Sequence, residues 1–307
     1  MKKRLNHKIF GAVTAIGLAL ACMPVTSASA TEAVGYAQNQ EIESRSADTR
    51  ASIPSGSYRI NLNINGRSVL GGRVFNLGGI TYVPMFKFAD WLGNFSYSNK
   101  YGNRVTATVE GVNLEISATE GNLYICANGR YFYTGREVIL WGGEIYVPIT
   151  PLVKALNCYV NWSPEANSFM VRSGDTSRLK YASQVYSEDA VYWLSRIISA
   201  EARGESLEGK LAVGNVILNR VRSSQFPNTI YGVIFDKKYG TQFAPTANGT
   251  IYNAPTAESV IAAKMCLEGY SLSTDILYFF NPRYTSATWI KQNREYAFTI
   301  GNHMFYN

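Results

Sequence analysis

Histidine is almost missing from this sequence. There are two in 307 residues, His7 and His303, and His7 falls in a leader segment. A catalytic zinc site takes about three protein ligands, drawn from histidine, cysteine and carboxylates, so zinc-dependent amidase chemistry is short of ligands here. The same shortage excludes a histidine-rich copper site, and no metal or cofactor is expected. Long apolar runs are missing as well. The one at Ile9 to Met23 is shorter than the ~20 residues a membrane span needs, so stable membrane insertion is not expected.

That run belongs to a leader. Lys2, Lys3, Arg4 and Lys8 form a basic start, the apolar stretch follows, and Ala28-Ser29-Ala30 is an A-x-A cleavage site. Residues 1–30 therefore read as a secretory signal peptide. A lipoprotein reading through Cys22 is weaker, because Ala19-Leu20-Ala21 makes a poor lipobox. The leader holds four of the 29 lysines and arginines and none of the 22 acids, which leaves the remainder at a net charge of +3. So mild a balance gives no reason to expect nucleic acid as a partner. Cysteine is scarce too: beyond Cys22 only Cys126, Cys158 and Cys266 remain. Cys126 and Cys158 share one domain, and whether they pair is left open by spacing alone.

Residues 31–57 are polar and without periodicity, and read as a flexible linker. An internal repeat follows. "GGITYVPMFKFADWLGNFSYS" (78–98) aligns with "GGEIYVPITPLVKALNCYVNW" (142–162) at an offset of 64. Upstream, Asn65-Gly66 and Asn128-Gly129 are matching hairpin-turn signals between β-rich runs. Each repeat is expected to run hairpin, helix, hairpin, with the proline of "YVP" where strand hands over to helix. This region, 58–174, resembles the copper amine oxidase N-terminal-like domain, a stalk module of secreted wall proteins. The resemblance implies a spacer or wall-binding role without chemistry. A second polar connector is expected over 175–186.

The remainder, 187–307, reads as a mainly helical domain, making the fold class α+β. Ser187 is a good N-cap, with Glu188 and Asp189 in the first turn, so a helix is expected over 188–202. Ala190, Leu194, Ile197, Ile198 and Glu201 fall on one stripe, and Gly204 is expected to end the helix. Glu201 thus occupies a place where the pattern calls for a core residue. An acid in apolar surroundings has its charged form disfavoured and its pKa raised, which suits a general acid. The competing reading is a buried ion pair with Arg203, Arg220 or another base, and the helix pattern alone leaves the two open. Ser206 caps a central apolar helix over 207–222, in which Gly209 and Gly214 permit close approach and Asn219 is the odd polar residue. Glu205 and Glu208 stand where acids are expected at a helix start. Residues 236–255 read as a long groove-shaping loop, and Thr256 caps a third helix over 257–268 that Gly269 stops.

"ISAEARGESLEGKLAVGNVILNRV", "SSQFPNTIYGVIF", "QFAPTANGTIY", "LYFFNP" and "IGNHMF", five motifs in order, resemble the cell wall hydrolase family of the spore cortex-lytic SleB/CwlJ type. The resemblance implies a lysozyme-like fold. It also implies cleavage of the bond from N-acetylmuramic acid to N-acetylglucosamine in peptidoglycan, in the spore envelope or the cell wall, by a secreted enzyme. Glu201, the first glutamate of E-A-R-G-E, takes the catalytic role. Asn219, Gln242, Phe243, Tyr278, Phe280 and Asn281 are the groove residues carried over from the motifs. A cysteine peptidase would have to use Cys266 with His303, yet Cys266 lies in a helical core pattern. A wall-binding or coat protein with a degenerate hydrolase domain is the non-enzymatic alternative, and an intact E-A-R-G-E argues against it.

Overall fold

The computed structural model describes residues 52–69, 72–93, 95–174, 179–238 and 240–307. The leader expected over 1–30, and all but the end of the 31–57 linker, lie outside them.

Paired turns with positive φ organise the first half. Asn65 and Gly66 have φ of 52° and 83°, and Asn128 and Gly129 have 49° and 75°, as tight type I′ hairpin turns require. The first repeat contains β1 (Tyr58–Arg59), β2 (Asn61–Ile64), β3 (Arg67–Val69), β4 (Phe75–Leu77), β5 (Ile80–Pro84), α1 (Met85–Asp90), β6 (Ser96–Lys100) and β7 (Thr106–Gly111). After β8 (Leu114–Thr119), the second repeat supplies β9 (Tyr124–Ala127), β10 (Arg130–Tyr133), β11 (Ile139–Trp141), β12 (Glu144–Pro148), α2 (Ile149–Ala155), β13 (Tyr159–Ser163) and β14 (Ser168–Arg172). Each repeat is therefore two hairpins, a helix and a further hairpin, one hairpin more than the motif pattern suggested. The hand-over prolines Pro84 and Pro148 each stand at the N-cap of the helix that follows.

The repeats interlock. The two "YVP" strands, β5 and β12, pair antiparallel with Val83 opposite Val147. The last strand of the second repeat, β14, runs parallel to β2 of the first. Sheet orders are β1-β4-β5-β12-β11, β10-β9-β8-β7-β6 and β13-β14-β2-β3. Phe88, Ile116, Ile125, Val147, Leu152 and Leu156 fill a single core between them. Each such side chain contributes roughly 1.5–3 kcal/mol on leaving water. Neither repeat could bury its apolar face alone.

The ends of the expected linkers are docked. Ile53 packs on the Phe75, Tyr82 and Tyr146 cluster, and Trp141 Nε1 donates to the Ser52 carbonyl at 3.0 Å. Leu179 is buried, and a four-residue helix, α3 (Ala182–Val185), occupies the expected 175–186 connector. Spacing signals loop polarity; it does not show that Asn128 will hold this segment by donating to the Leu179 carbonyl and accepting from Ala182 N–H. Cys126 and Cys158 are not joined to each other, so the disulfide left open above is not formed.

The second half contains α4 (Glu188–Ala202), α5 (Leu207–Arg222), α6 (Ile230–Ile234), α7 (Ala244–Asn248), a 3-10 turn (Thr250–Tyr252), α8 (Ala257–Leu267) and α9 (Thr288–Asn293). Its three strands β15 (Tyr278–Phe280), β16 (Tyr296–Ile300) and β17 (His303–Tyr306) form one sheet of order β15-β17-β16. The Ser187, Ser206 and Thr256 side chains cap α4, α5 and α8 by accepting backbone N–H bonds. α5 is the central helix: Leu211, Val213, Val216 and Ile217 are fully buried, and α4 and α8 pack against it. The supposed 236–255 loop instead holds α7 and the 3-10 turn, since Pro245 suits a first turn and Gly249, at φ 79°, closes it. Gly204 lies just beyond the end of α4 but without left-handed φ. Arg203 is the C-cap.

Candidate active site

Glu201 stands in the last turn of α4, following Leu194, Ile197 and Ile198, all fully buried. Its stripe faces α5 and α8 for most of its length. At Glu201 the neighbouring helix gives way to a cleft of about 760 Å³. The carboxyl has no ion-pair or hydrogen-bond partner among the described residues, so neither Arg203 nor Arg220 neutralises it. Burial without compensation raises its pKa to about 7, because the charged form forfeits hydration and gains nothing in return. The carbonyl-bearing end of α4 acts in the same direction.

Gln242, Phe243, Phe280 and Asn281 line this cleft with Glu201. Asn219 and Tyr278 do not line it. Asn219 Nδ2 donates to the carbonyls of Ser273 and Ile276, both at 3.0 Å, which makes it the amide that ties the 273–276 loop to α5. Tyr278 packs against Trp289 and Phe226. A polar residue inside an apolar helix signals burial with partners; it does not reveal which side of the helix they occupy.

The arginines carry information that motif reading did not extract. Arg196 and Arg203 line the cleft from α4 and Arg220 from α5. Arg220 is buried, donates from Nε to the Leu277 carbonyl at 2.7 Å, and has its guanidinium over the Phe226, Phe243 and Tyr278 rings. Burial lowers its pKa to about 10, so it stays charged at neutral pH. Arg196 lies five residues before Glu201 and stacks on Tyr192 at 3.6 Å. His303 also reaches the cleft wall, and burial lowers its pKa against the opposing pull of Glu205.

Glu201 is the only carboxylate among the described residues that line the cleft. Glu205 accepts from the Asn302 backbone N–H at 3.1 Å and its Nδ2 at 2.8 Å. Burial would raise its pKa, but those bonds, together with His303 and Lys210 nearby, outweigh it and hold the group low. Glu208 accepts from the Tyr133 hydroxyl at 3.1 Å, on the side of the domain that meets the repeat region. Cys266 is wholly buried between helices, with its thiol pushed up to about 12 by burial. It does not line the cleft that His303 reaches, so the pair forms no nucleophile and base.

Residues 204–306 match the family described as Cell Wall Hydrolase, and residues 63–171 match the Copper amine oxidase N-terminal domain. A spore cortex-lytic enzyme of Bacillus cereus is 37% identical over 120 residues, which is 39% of this chain and 45% of that protein. The cell wall hydrolase CwlJ of Oceanobacillus iheyensis is 32% identical over 103 residues, which is 32% of this chain and 72% of that protein. This chain belongs to the cell wall hydrolase family. It spans less than half the length of the spore cortex-lytic relatives it matches. Among solved structures, the catalytic domain of the germination-specific lytic transglycosylase SleB from Bacillus anthracis is 36% identical. That alignment covers 40% of this chain and 97% of that one, with a TM-score of 0.36. The hydrolase match begins at residue 204, so Glu201 lies just outside it. Among the described residues no helix is long and apolar enough to cross a membrane.

Proposed function

We propose that the chain is a secreted peptidoglycan glycosidase that cleaves the bond from N-acetylmuramic acid to N-acetylglucosamine as a lytic transglycosylase, with Glu201 as its acid and base. The observation that carries this reading is the single, uncompensated carboxylate in a cleft large enough for a short glycan. Glycoside cleavage normally uses two carboxylates flanking the bond. With one, the second role passes to the substrate. Glu201, protonated, donates to the glycosidic oxygen as the bond to the muramic anomeric carbon breaks. The muramic 6-hydroxyl then attacks that carbon, and its proton returns to the Glu201 carboxylate. A 1,6-anhydromuramyl end forms, the departing sugar keeps a free 4-hydroxyl, and no water is consumed.

Phe243 and Phe280 offer apolar faces to sugar rings, and Gln242 and Asn281 offer amides to hydroxyl and acetamido groups. Arg196, Arg203 and Arg220 give the cleft a positive potential suited to an acidic wall polymer. Spore cortex and vegetative wall both contain the bond, and the similarity to spore cortex-lytic enzymes favours the cortex. Digesting purified sacculi and weighing the soluble fragments tests the proposal. Anhydro-muropeptides are expected from the native chain, and Glu201→Gln should slow their release by about a hundredfold or more. Reducing-end fragments, or release undiminished by Glu201→Gln, would refute it.

A further inference from the structure

A second concave site lies in the repeat domain. Its cavity is about 360 Å³, within the range of roughly 300–1,000 Å³ typical of small-molecule sites. Trp162 and Tyr58 reach it while remaining 42% and 58% exposed. Trp162 is held edge-on by Phe169, ring centroids 4.9 Å apart, across the β13–β14 register. Thr134 lines the same cavity, and its buried hydroxyl has no hydrogen-bond partner among the described residues. An unpaired buried hydroxyl is costly, so its place on a cavity wall points to a ligand. Asn167 adds an amide, and among the described residues no charged side chain lines the wall.

The repeat itself isolates the feature. The residue matching Trp162 at the offset of 64 is Ser98, so the fold does not require an aromatic at this point of the strand. One half of the repeat has been adapted and the other has not.

We propose that this cavity binds an uncharged saccharide. A pyranose presents an apolar C–H face that fits an indole or phenol ring, with hydroxyls around its rim for Thr134 and Asn167. A phosphate or a carboxylate would find no cation here. The choice of sugar, an N-acetylated amino sugar of a glycan strand, rests on the peptidoglycan reading above. The site would hold the substrate polymer while the hydrolase cleft works along it.

The test uses the full secreted chain carrying Glu201→Gln, so that nothing is cleaved, titrated calorimetrically with the N-acetylglucosamine tetramer. Adding Trp162→Ala should weaken one binding event by about tenfold, and Thr134→Val, which preserves volume, should weaken the same event. Binding in the catalytic cleft is common to all three proteins and cancels in the comparison. Titrations that superimpose for the three proteins would overturn the inference. With Glu201 intact, Trp162→Ala should leave release from short soluble glycan unchanged and reduce release from insoluble sacculi. Loss of the saccharide event with Glu201→Gln still fully active would sink the catalytic reading alone.

Discussion

Arg130 grips Glu268 with two prongs, Nε to Oε1 at 2.6 Å and Nη2 to Oε2 at 2.8 Å. Arg130 opens β10 beside the second Asn-Gly turn, and Glu268 ends α8, so the pair fastens the repeat domain to the hydrolase domain. The Tyr186 hydroxyl donates to the same carboxylate. Lys154 Nζ reaches the Glu268 carbonyl at 3.1 Å, and Lys264 Nζ the Gly129 carbonyl at 3.1 Å. Tyr133 and Tyr270 pack beside them in a tilted pair with centroids 4.3 Å apart. Because α8 also packs against α4, the repeat domain braces the helix that presents Glu201.

Removing one member of this pair leaves the other charged and poorly solvated, with side-chain exposures of 15% for Arg130 and 5% for Glu268. Glu268→Ala should therefore destabilise the chain by about 3 kcal/mol. It should also uncouple the two domains, so that scanning calorimetry shows two transitions where the native chain shows one. A single transition at an unchanged midpoint would mean that the pair is ornamental.

The carboxyl of Glu201 makes a pH prediction with a definite sign. Its pKa is about 7 in the folded chain and ~4.3 unfolded. If it works as the general acid proposed above it must carry its proton, so glycan cleavage should fall as pH rises through about 7. Stability follows the same direction. The folded state binds the proton more tightly, so the favourable contribution is fully present below the unfolded value and is lost as pH rises through the folded one. Glu201→Gln should accordingly raise the melting temperature at pH ~8 and leave it nearly unchanged at pH ~4. A variant that melts below the native chain at the higher pH would show that the carboxylate is stabilised by something other than solvent.

Much of this arrangement was legible in the residues. Period and capping gave α4 and α5 to the residue, because Ser187 and Ser206 cap them and their apolar stripes are long. The same stripe singled out Glu201. What escaped was partner choice. Asn219 was readable as polar in an apolar helix, but the carbonyls it serves come from a loop more than fifty residues away, and nothing local encodes that. Tyr278 lies in a strand whose neighbours alternate faces. The motif located it without fixing which face meets the cleft. Trp162 looked like one repeat residue among many, and only the folded position of Thr134 gives it a meaning.

Gly214 tests how tightly the helices behind Glu201 are set. A methyl group there would meet Cys266 Sγ at 2.7 Å and Ile198 Cδ1 at 2.9 Å, closer than van der Waals contact. Two effects oppose. Alanine improves helix propensity over glycine by ~1 kcal/mol, whereas inserting a methyl into a packed seam costs about 1–3 kcal/mol. The seam joins α5 to both α4 and α8, so neither neighbour can yield without displacing the other, and the packing cost should win. Gly214→Ala is expected to lower stability by about 1 kcal/mol in urea titration. It should also reduce glycan release, because Ile198 lies one turn before Glu201 on the displaced face. Glycan release at the native rate together with a raised urea midpoint would mean that the three helices have slack, and that the position of the acid does not depend on their contact.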